Sequence, residues 1–402
     1  MKNYNELRPE QRVLMGPGPS NADPRVLKAM ATPLIGHLDP DFLEIMDETM
    51  SLLRYVFQTE NKLTIPMSGT GSAGMETCLV NILEPGDKAI VAINGLFGQR
   101  MAEIVDRCGA EAIIVEAEWG KIIDPADIKK AFAKNSSIKM VCLVHAETST
   151  GVRQPLTEIA EIAHSHDALL VADTVTSLGG IPVELDEKDV DITYSGTQKC
   201  LSCPPGLAPV SFNERAEKAL QNRSKKVQSW YLDLTMIRDY WGQDRSYHHT
   251  APISMIYALH EALRLVEEEG LEARYQRHYL HGKALGNALE AMGLELLVEE
   301  EKYRLPQLTA VKIPEGVDDA FVRSSLINDY NIEIGGGLGV LAGKLWRIGL
   351  MGASSTRSNV FLFLSALGDI LSRAGYDCEK GAALSAAADY YDQNDLNIQK
   401  KE

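Results

Sequence analysis

The feature that most constrains this chain is an alternation. Between residues 60 and 215, short β-branched apolar runs are separated by segments with helical spacing. The runs are 89–93 (AIVAI), 112–115 (AIIV), 139–144 (KMVCLV) and 168–173 (ALLVAD). The segments between them place apolar residues at i, i+3 and i+4, as in Leu156, Ile159, Ala160 and Ala163. A strand that is apolar on both faces must be covered on both, and intervening helices supply the cover. The pattern therefore predicts an α/β domain built on a mainly parallel sheet sandwiched by helices. In such sheets ligands bind beyond the carboxyl ends of the strands, which makes the polar residue after each run a candidate.

At 402 residues the chain is longer than one hydrophobic core sustains, so a second, smaller domain is expected. From 251 to 292 the pattern is purely helical, with Gly270 as a C-cap. Beyond it, strands at 308–313, 332–334 and 345–350 alternate with helices at 318–330 and 356–375, an α+β mixture. After residue 380 the chain turns Ala-rich and then polar, as a fraying terminal helix would. The expected division is an N-terminal arm over 1–20, a large domain over 21–265, a small domain over 266–380 and a tail over 381–402.

Charge narrows the partners. Lys and Arg total 40 against 56 Asp and Glu, a net charge of −16. Such a field repels nucleic acid and anionic membrane surfaces, so an anionic substrate must be gripped by local Arg, Lys or backbone N–H groups. The amino terminus has no apolar leader, and no run approaches the roughly 18 apolar residues of a spanning helix. The protein reads as cytoplasmic. Among six cysteines only Cys200 and Cys203 have suggestive spacing; one CxxC without a second pair or matching histidines predicts reduced thiols and no metal.

Three features can carry chemistry. The loop Ser68-Gly69-Thr70-Gly71-Ser72 precedes a helical run from Ala73, which sets backbone N–H groups at a helix N-terminus where an anion binds. An ordinary N-capped turn would read the same way. Asp173 ends the strand LLVAD, where it either meets a ligand or caps the next turn. Lys199 follows DITYSGTQ and precedes the rigid CLSCPPG. A lysine inside a domain can lose its proton and attack a carbonyl, although solvated surface lysines are far commoner. The pair fits pyridoxal phosphate: a carboxylate keeps the pyridine nitrogen protonated while a lysine holds the aldehyde carbon.

The order of further segments makes the chain resemble class V aminotransferases of the alanine–glyoxylate and serine–glyoxylate (serine–pyruvate) type over nearly its full length. These segments are MGPGPSN (15–21), GHLDPDF (36–42), SGTGSAGME (68–76), NGLFGQR (94–100), ETSTGVRQP (147–155), VADTVTSLGG (171–180), YSGTQK (194–199), YHHTAP (247–252), IEIGGGLG (332–339) and LWRIGLMG (345–352). The resemblance implies a fold-type I pyridoxal-phosphate enzyme with a seven-stranded sheet. It implies that Lys199 carries the cofactor, Asp173 pairs with its ring nitrogen, Thr70, Gly71, Ser72 and Gln198 hold its phosphate, and Thr148 meets its ring hydroxyl. Phe97 stands where the family commonly has a stacking Trp, and Ser72 where some relatives have His. Arg347 is implied as the fork for the substrate carboxylate, with Gly18 and the glycines at 335–337 permitting close approach. Tyr247 and Thr250 are implied to cross the interface of a homodimer to the partner's phosphate site.

The activity so implied moves an amino group from alanine or serine to glyoxylate or pyruvate in a ping-pong cycle. Ureidoglycine–glyoxylate and aminoethylphosphonate–pyruvate enzymes are the alternatives. A cysteine desulfurase is disfavoured, because Gln198 rather than His precedes Lys199 and 335–344 has no Cys.

Overall fold

The computed structural model describes residues 4–398, with side chains placed through 394. Its centre is a seven-stranded sheet of β1 (Leu63–Ser68), β2 (Lys88–Ile93), β3 (Glu111–Glu116), β4 (Ile138–Val144), β5 (Leu169–Asp173), β6 (Ile192–Tyr194) and β7 (Leu207–Phe212). The order is β1-β7-β6-β5-β4-β2-β3, with β7 antiparallel to both neighbours and every other pairing parallel. The fold is the α/β sandwich expected. β5, β6 and β7 are buried along their whole lengths, whereas β3 alternates with exposed residues because it is the sheet edge.

The apolar runs at 89–93, 112–115, 139–144 and 168–173 became β2 to β5. β1 and β7 each carry a proline, Pro66 and Pro209, a residue that removes a ladder donor and argues against a strand. In the fold the two prolines stand opposite each other in register, so both missing donors fall at one rung.

α1 (Gly71–Val80) follows β1, and α2 (Leu96–Arg107) follows β2. Each helix therefore begins just past a strand's carboxyl end and aims its N-terminus at the same rim. α3 (Ile253–Glu269) packs on the large core and ends at Gly270, whose φ of 79° suits glycine; α4 (Leu271–Ala291) then enters the smaller one.

The smaller core surrounds an antiparallel sheet, β8 (Leu308–Lys312), β9 (Gly335–Gly336) and β10 (Leu345–Gly349), in the order β8-β10-β9, covered by Asp319–Tyr330 and α5 (Arg357–Arg373). The stretch 332–334 does not join that sheet. Ile332–Glu333 pairs in parallel with Val13–Leu14, and Met15 is buried in the same small core. The amino-terminal arm is thus anchored on the small domain and runs across the large one. The segment expected as a tail from 381 is helical over Lys380–Ile398 and buries Ala383, Ala387 and Tyr391; residues 399–402 lie outside the described residues. Among the described residues no helix is long and apolar enough to cross a membrane.

Candidate active site

Asp173 is the last residue of β5 and is 2% exposed. Its Oδ2 accepts from the Tyr194 hydroxyl at 2.7 Å and its Oδ1 from the Val175 N–H at 2.8 Å. Burial pushes the carboxyl up to about 7, against the lowering effect of both donors. No Lys, Arg or His forms an ion pair with it among the described residues. Tyr194 opens the YSGTQK segment but has no role assigned from sequence; β6 lies beside β5 in register, and that pairing brings the phenol to the carboxylate.

Lys199 sits five residues past the end of β6 and is 8% exposed. Its Nζ donates to the carbonyl of Pro17 in the arm. Burial first, and then the charge of Arg347, lowers the ammonium to about 8, so the neutral amine is accessible near physiological pH. The turn is pinned by Ser20, whose N–H donates to the Gln198 carbonyl (2.9 Å) and whose hydroxyl donates to the Lys199 carbonyl (2.7 Å). Gly18 takes φ of 102°, and a Cβ there would stand 2.6 Å from the Lys199 Cδ and Nζ. Only glycine fits between arm and lysine.

The loop ahead of α1 approaches the same turn. A Cβ on Gly71 would meet Val175 and the backbone of Ser195 and Gly196, two residues before Gln198. Thr70 is the N-cap but makes no side-chain cap bond, which leaves first-turn N–H groups of α1 open. The Gln198 Oε1 is buried without a partner. Ser72 is exposed and accepts from Arg100 Nη1 at 3.2 Å, while the Arg100 guanidinium lies 5.0 Å from the Phe97 ring. Arg100 stands one helical turn beyond Phe97 on α2, so the fold sets a cation beside this loop that no sequence pattern singles out.

Glu147 was also unmarked as a site residue. It is fully buried and accepts from the Ser149 N–H (2.9 Å), the Ser149 hydroxyl (2.6 Å) and the Phe97 N–H (3.2 Å). It thereby caps the N-terminus of α2, whose own N-cap, Gly95, has no side chain to offer. A Cβ on Gly95 would fall 2.3 Å from the Glu147 Cδ. Burial raises this carboxyl too, against the hydrogen bonds from Ser149. Next in the chain, the Thr148 hydroxyl meets that of Thr176 at 2.5 Å.

Arg347 comes from β10 and is 6% exposed. Its Nε donates to the Gly336 carbonyl at 2.8 Å and its Nη1 to the Thr148 carbonyl at 3.1 Å. Both partners are neutral, and no carboxylate lies within ion-pair distance of it among the described residues. Burial lowers the guanidinium to about 10, opposed by the charge of Glu147. A buried fork without a carboxylate partner can take one.

Tyr247 and Thr250 are not brought into this pocket. Both side chains are exposed and neither makes a hydrogen bond among the described residues; the Tyr247 ring lies 5.4 Å from that of His37. Their neighbours turn inward, with His248 stacked on Trp230 at 4.3 Å and His249 Nε2 2.7 Å from Ser68 Oγ.

The chemistry of these donors fits pyridoxal phosphate. A buried carboxylate lacks a cation, which a protonated ring nitrogen supplies. A buried lysine with its pKa lowered to about 8 gives up its proton readily. An uncapped helix N-terminus lies beside a buried unpartnered amide, whose flipped form offers an N–H.

The sequence profile of the family described as Aminotransferase class-V matches residues 13–360. The (S)-ureidoglycine–glyoxylate transaminase of Bacillus subtilis is 42% identical over 410 residues, covering 98% of each chain. The alanine–glyoxylate aminotransferase of Callithrix jacchus is 42% identical over 368 residues, 90% of this chain and 87% of the relative. The crystal structure of an alanine–glyoxylate aminotransferase from Nostoc sp. superposes with a TM-score of 0.90 at 49% identity, over 92% of this chain and 98% of that one. With the expected sheet and a matched region that reaches from the arm to α5, the chain belongs to the class V aminotransferase family.

Proposed function

We propose that the protein binds pyridoxal phosphate and moves the amino group of a small amino acid, alanine or serine, to glyoxylate or pyruvate in a ping-pong cycle. When bound, the cofactor supplies a protonated pyridine ring that withdraws electrons from the carbon losing its proton. The chain's residues do the rest. Arg347 grips the substrate carboxylate, Lys199 carries the proton that leaves the α-carbon, and Asp173 with Tyr194 holds the ring-nitrogen proton. Thr70, Gly71, Ser72 and Gln198 take the phosphate, Thr148 the ring hydroxyl and Phe97 the ring face, while Gly18 leaves room for the lysine and substrate.

The observation that carries this reading is Arg347. Its buried guanidinium lies close enough to Lys199 to lower the lysine's pKa and, among the described residues, bonds only to carbonyls. Arg347→Ala should mainly raise KM for both amino and keto acids. A hydrogen bond to a charged group contributes about 1.5–3 kcal/mol, so apparent affinity should fall about ten- to a hundredfold. Steady-state kinetics with alanine and glyoxylate checks this, and unchanged KM values would remove Arg347 from the role.

Glyoxylate should outperform 2-oxoglutarate as acceptor. In this reading Lys199, the cation that interacts with Arg347, is taken by the cofactor, and Arg323, near Gly336, is paired with Asp319, so a distal carboxylate is offered no second free fork. Rates at equal concentrations decide it, and a clear preference for 2-oxoglutarate would overturn it. Ureidoglycine is the second reading for the donor, favoured by 98% coverage in both directions with the Bacillus subtilis enzyme. Turnover of alanine, serine and ureidoglycine against glyoxylate ranks them.

The active form in this reading is a homodimer in the cytoplasm. Six cysteines, all free, suit a reducing compartment. The unpartnered hydroxyls of Tyr247 and Thr250, on a surface where Trp230 and Leu34 are also largely exposed, suit a role in the partner's phosphate site. Lys199→Ala and a Tyr247→Phe, Thr250→Ala double variant should each be impaired alone. Mixed dimers hold one site with lysine and hydroxyls both intact, so activity should return on subunit exchange. Verified heterodimers without activity would confine those residues to their own chain's site or to none.

A further inference from the structure

The first turns of α4 hold a group of charges that the transamination reading does not use. Glu269 closes α3, Gly270 turns the chain, and Arg274, Arg277 and His278 follow on one face. The Glu269 carboxylate accepts from Arg274 Nη1 (2.5 Å) and from Nε and Nη2 of Arg277, the latter at 2.9 Å. Arg274 is 5% exposed, and its other nitrogens donate to the carbonyls of Gly179 (2.9 Å) and Cys200. Arg277 Nη1 donates to the carbonyls of Gly352 (2.9 Å) and Ser355 (2.8 Å).

His278 completes the group. Its Nδ1 donates to the Arg274 carbonyl at 2.8 Å, which leaves Nε2 to accept from the Gly352 N–H at 2.9 Å. Burial, and then the two guanidiniums, hold it neutral by lowering its pKa well below the usual range.

These bonds end at three places with one thing in common. Gly179 follows the strand of Asp173, Cys200 is bonded directly to Lys199, and Gly352 and Ser355 lie just past the strand of Arg347. The two sides also touch each other, because Ser202 Oγ accepts from the Ala353 N–H at 2.7 Å. A Cβ on Gly352 would collide with that oxygen, so the approach depends on glycine. A buried and a half-buried cation on one half-buried carboxylate are a poor route to stability, since apolar packing of the same volume does as well. Apolar packing, however, does not fix direction. A planar fork bonded to named carbonyls does.

We propose that Arg274, with Glu269 and Arg277, forms a positioning brace that sets the separation of Lys199 and Arg347, and thereby lets a substrate's carboxylate reach Arg347 while its amino group attacks at Lys199. The proposal rests on the reading of Lys199 and Arg347 as the two ends of the substrate site.

Two probes of the holoenzyme test it. Methoxyamine and aminooxyacetate attack with the same oxyamine group, but only the second carries a carboxylate, and loss of the cofactor's visible band reports each rate. Wild type should react about tenfold or more faster with aminooxyacetate, the gain of one correctly placed charged contact. Arg274→Lys keeps the charge but cannot span Gly179, Cys200 and Glu269 together. In it the ratio of the two rates should collapse towards one while the methoxyamine rate stays within about threefold of wild type. In the cofactor-free protein, hydrogen exchange should rise in 199–203 and 350–355 together.

A ratio left intact, an equal fall in both rates, or exchange that rises on one side alone would overturn the brace. A wild type without preference for aminooxyacetate would instead overturn the Arg347 reading. Glu269→Gln, which leaves both guanidiniums in place, should shift the ratio in the same direction by a smaller factor. It decides the matter if Arg274→Lys does not fold, and an unshifted ratio in it would also overturn the brace.

Discussion

Turnover by the Lys199→Ala variant should fall by about four orders of magnitude, the upper range for loss of a positioned proton-transfer group, and the variant should retain no covalently attached cofactor. Borohydride reduction of wild type followed by peptide mapping should place the adduct on Lys199, and an adduct elsewhere would end the assignment. The pH dependence carries an independent check. A free lysine titrates near 10.4, but burial and Arg347 lower Lys199 to about 8. The neutral amine is the attacking form, so capture of pyridoxal phosphate by the cofactor-free protein should rise with pH and level off above about 8. A rate still climbing between pH 9 and 10 would mean that the attacking lysine is solvated. Because the lowered pKa comes mainly from burial, a variant that opens the arm over Lys199 should move the plateau upward.

The second large effect is expected at Asp173. Asp173→Asn preserves shape, and its amide oxygen can still accept from Tyr194 or Val175. What it loses is the charge that holds a proton on the ring nitrogen. Turnover should fall by about 10²–10⁴-fold, with the protein still folded and still yellow. The folded state should not suffer much, because the wild-type carboxylate is buried without a cation and burial raises it to about 7. Near-normal turnover would mean that another group protonates the ring. Tyr194→Phe is the informative companion, since it removes one of the two hydrogen bonds that favour the ionised form. Its loss of activity should be smaller than that of Asp173→Asn and greatest at low pH, where the carboxyl is more readily protonated.

Much of this protein was legible in order along the chain. Apolar runs between helical segments determined the parallel sheet, because period and length are local properties of sequence. They also put Asp173 at a strand end. The motif series identified the family and, through it, proposed residues such as Arg347 that no local pattern singles out. β1 and β7 escaped the pattern because Pro66 and Pro209 weaken each strand taken alone, and only their mutual register removes the conflict. β6 escaped because three residues are too few to show a period.

Tertiary structure alone decided the surroundings that give these side chains their chemistry. Tyr194 reaches Asp173 across a strand pairing, and Glu147 caps a helix that starts some fifty residues earlier. The arm bends back so that Pro17 and Gly18 close on Lys199, and Glu269 joins two arginines that hold both sides of the pocket. Residue types and their order are written in the sequence. Burial and proximity are not, because they arise where distant segments pack, and they are what move Lys199 and Asp173 to pKa values near neutrality.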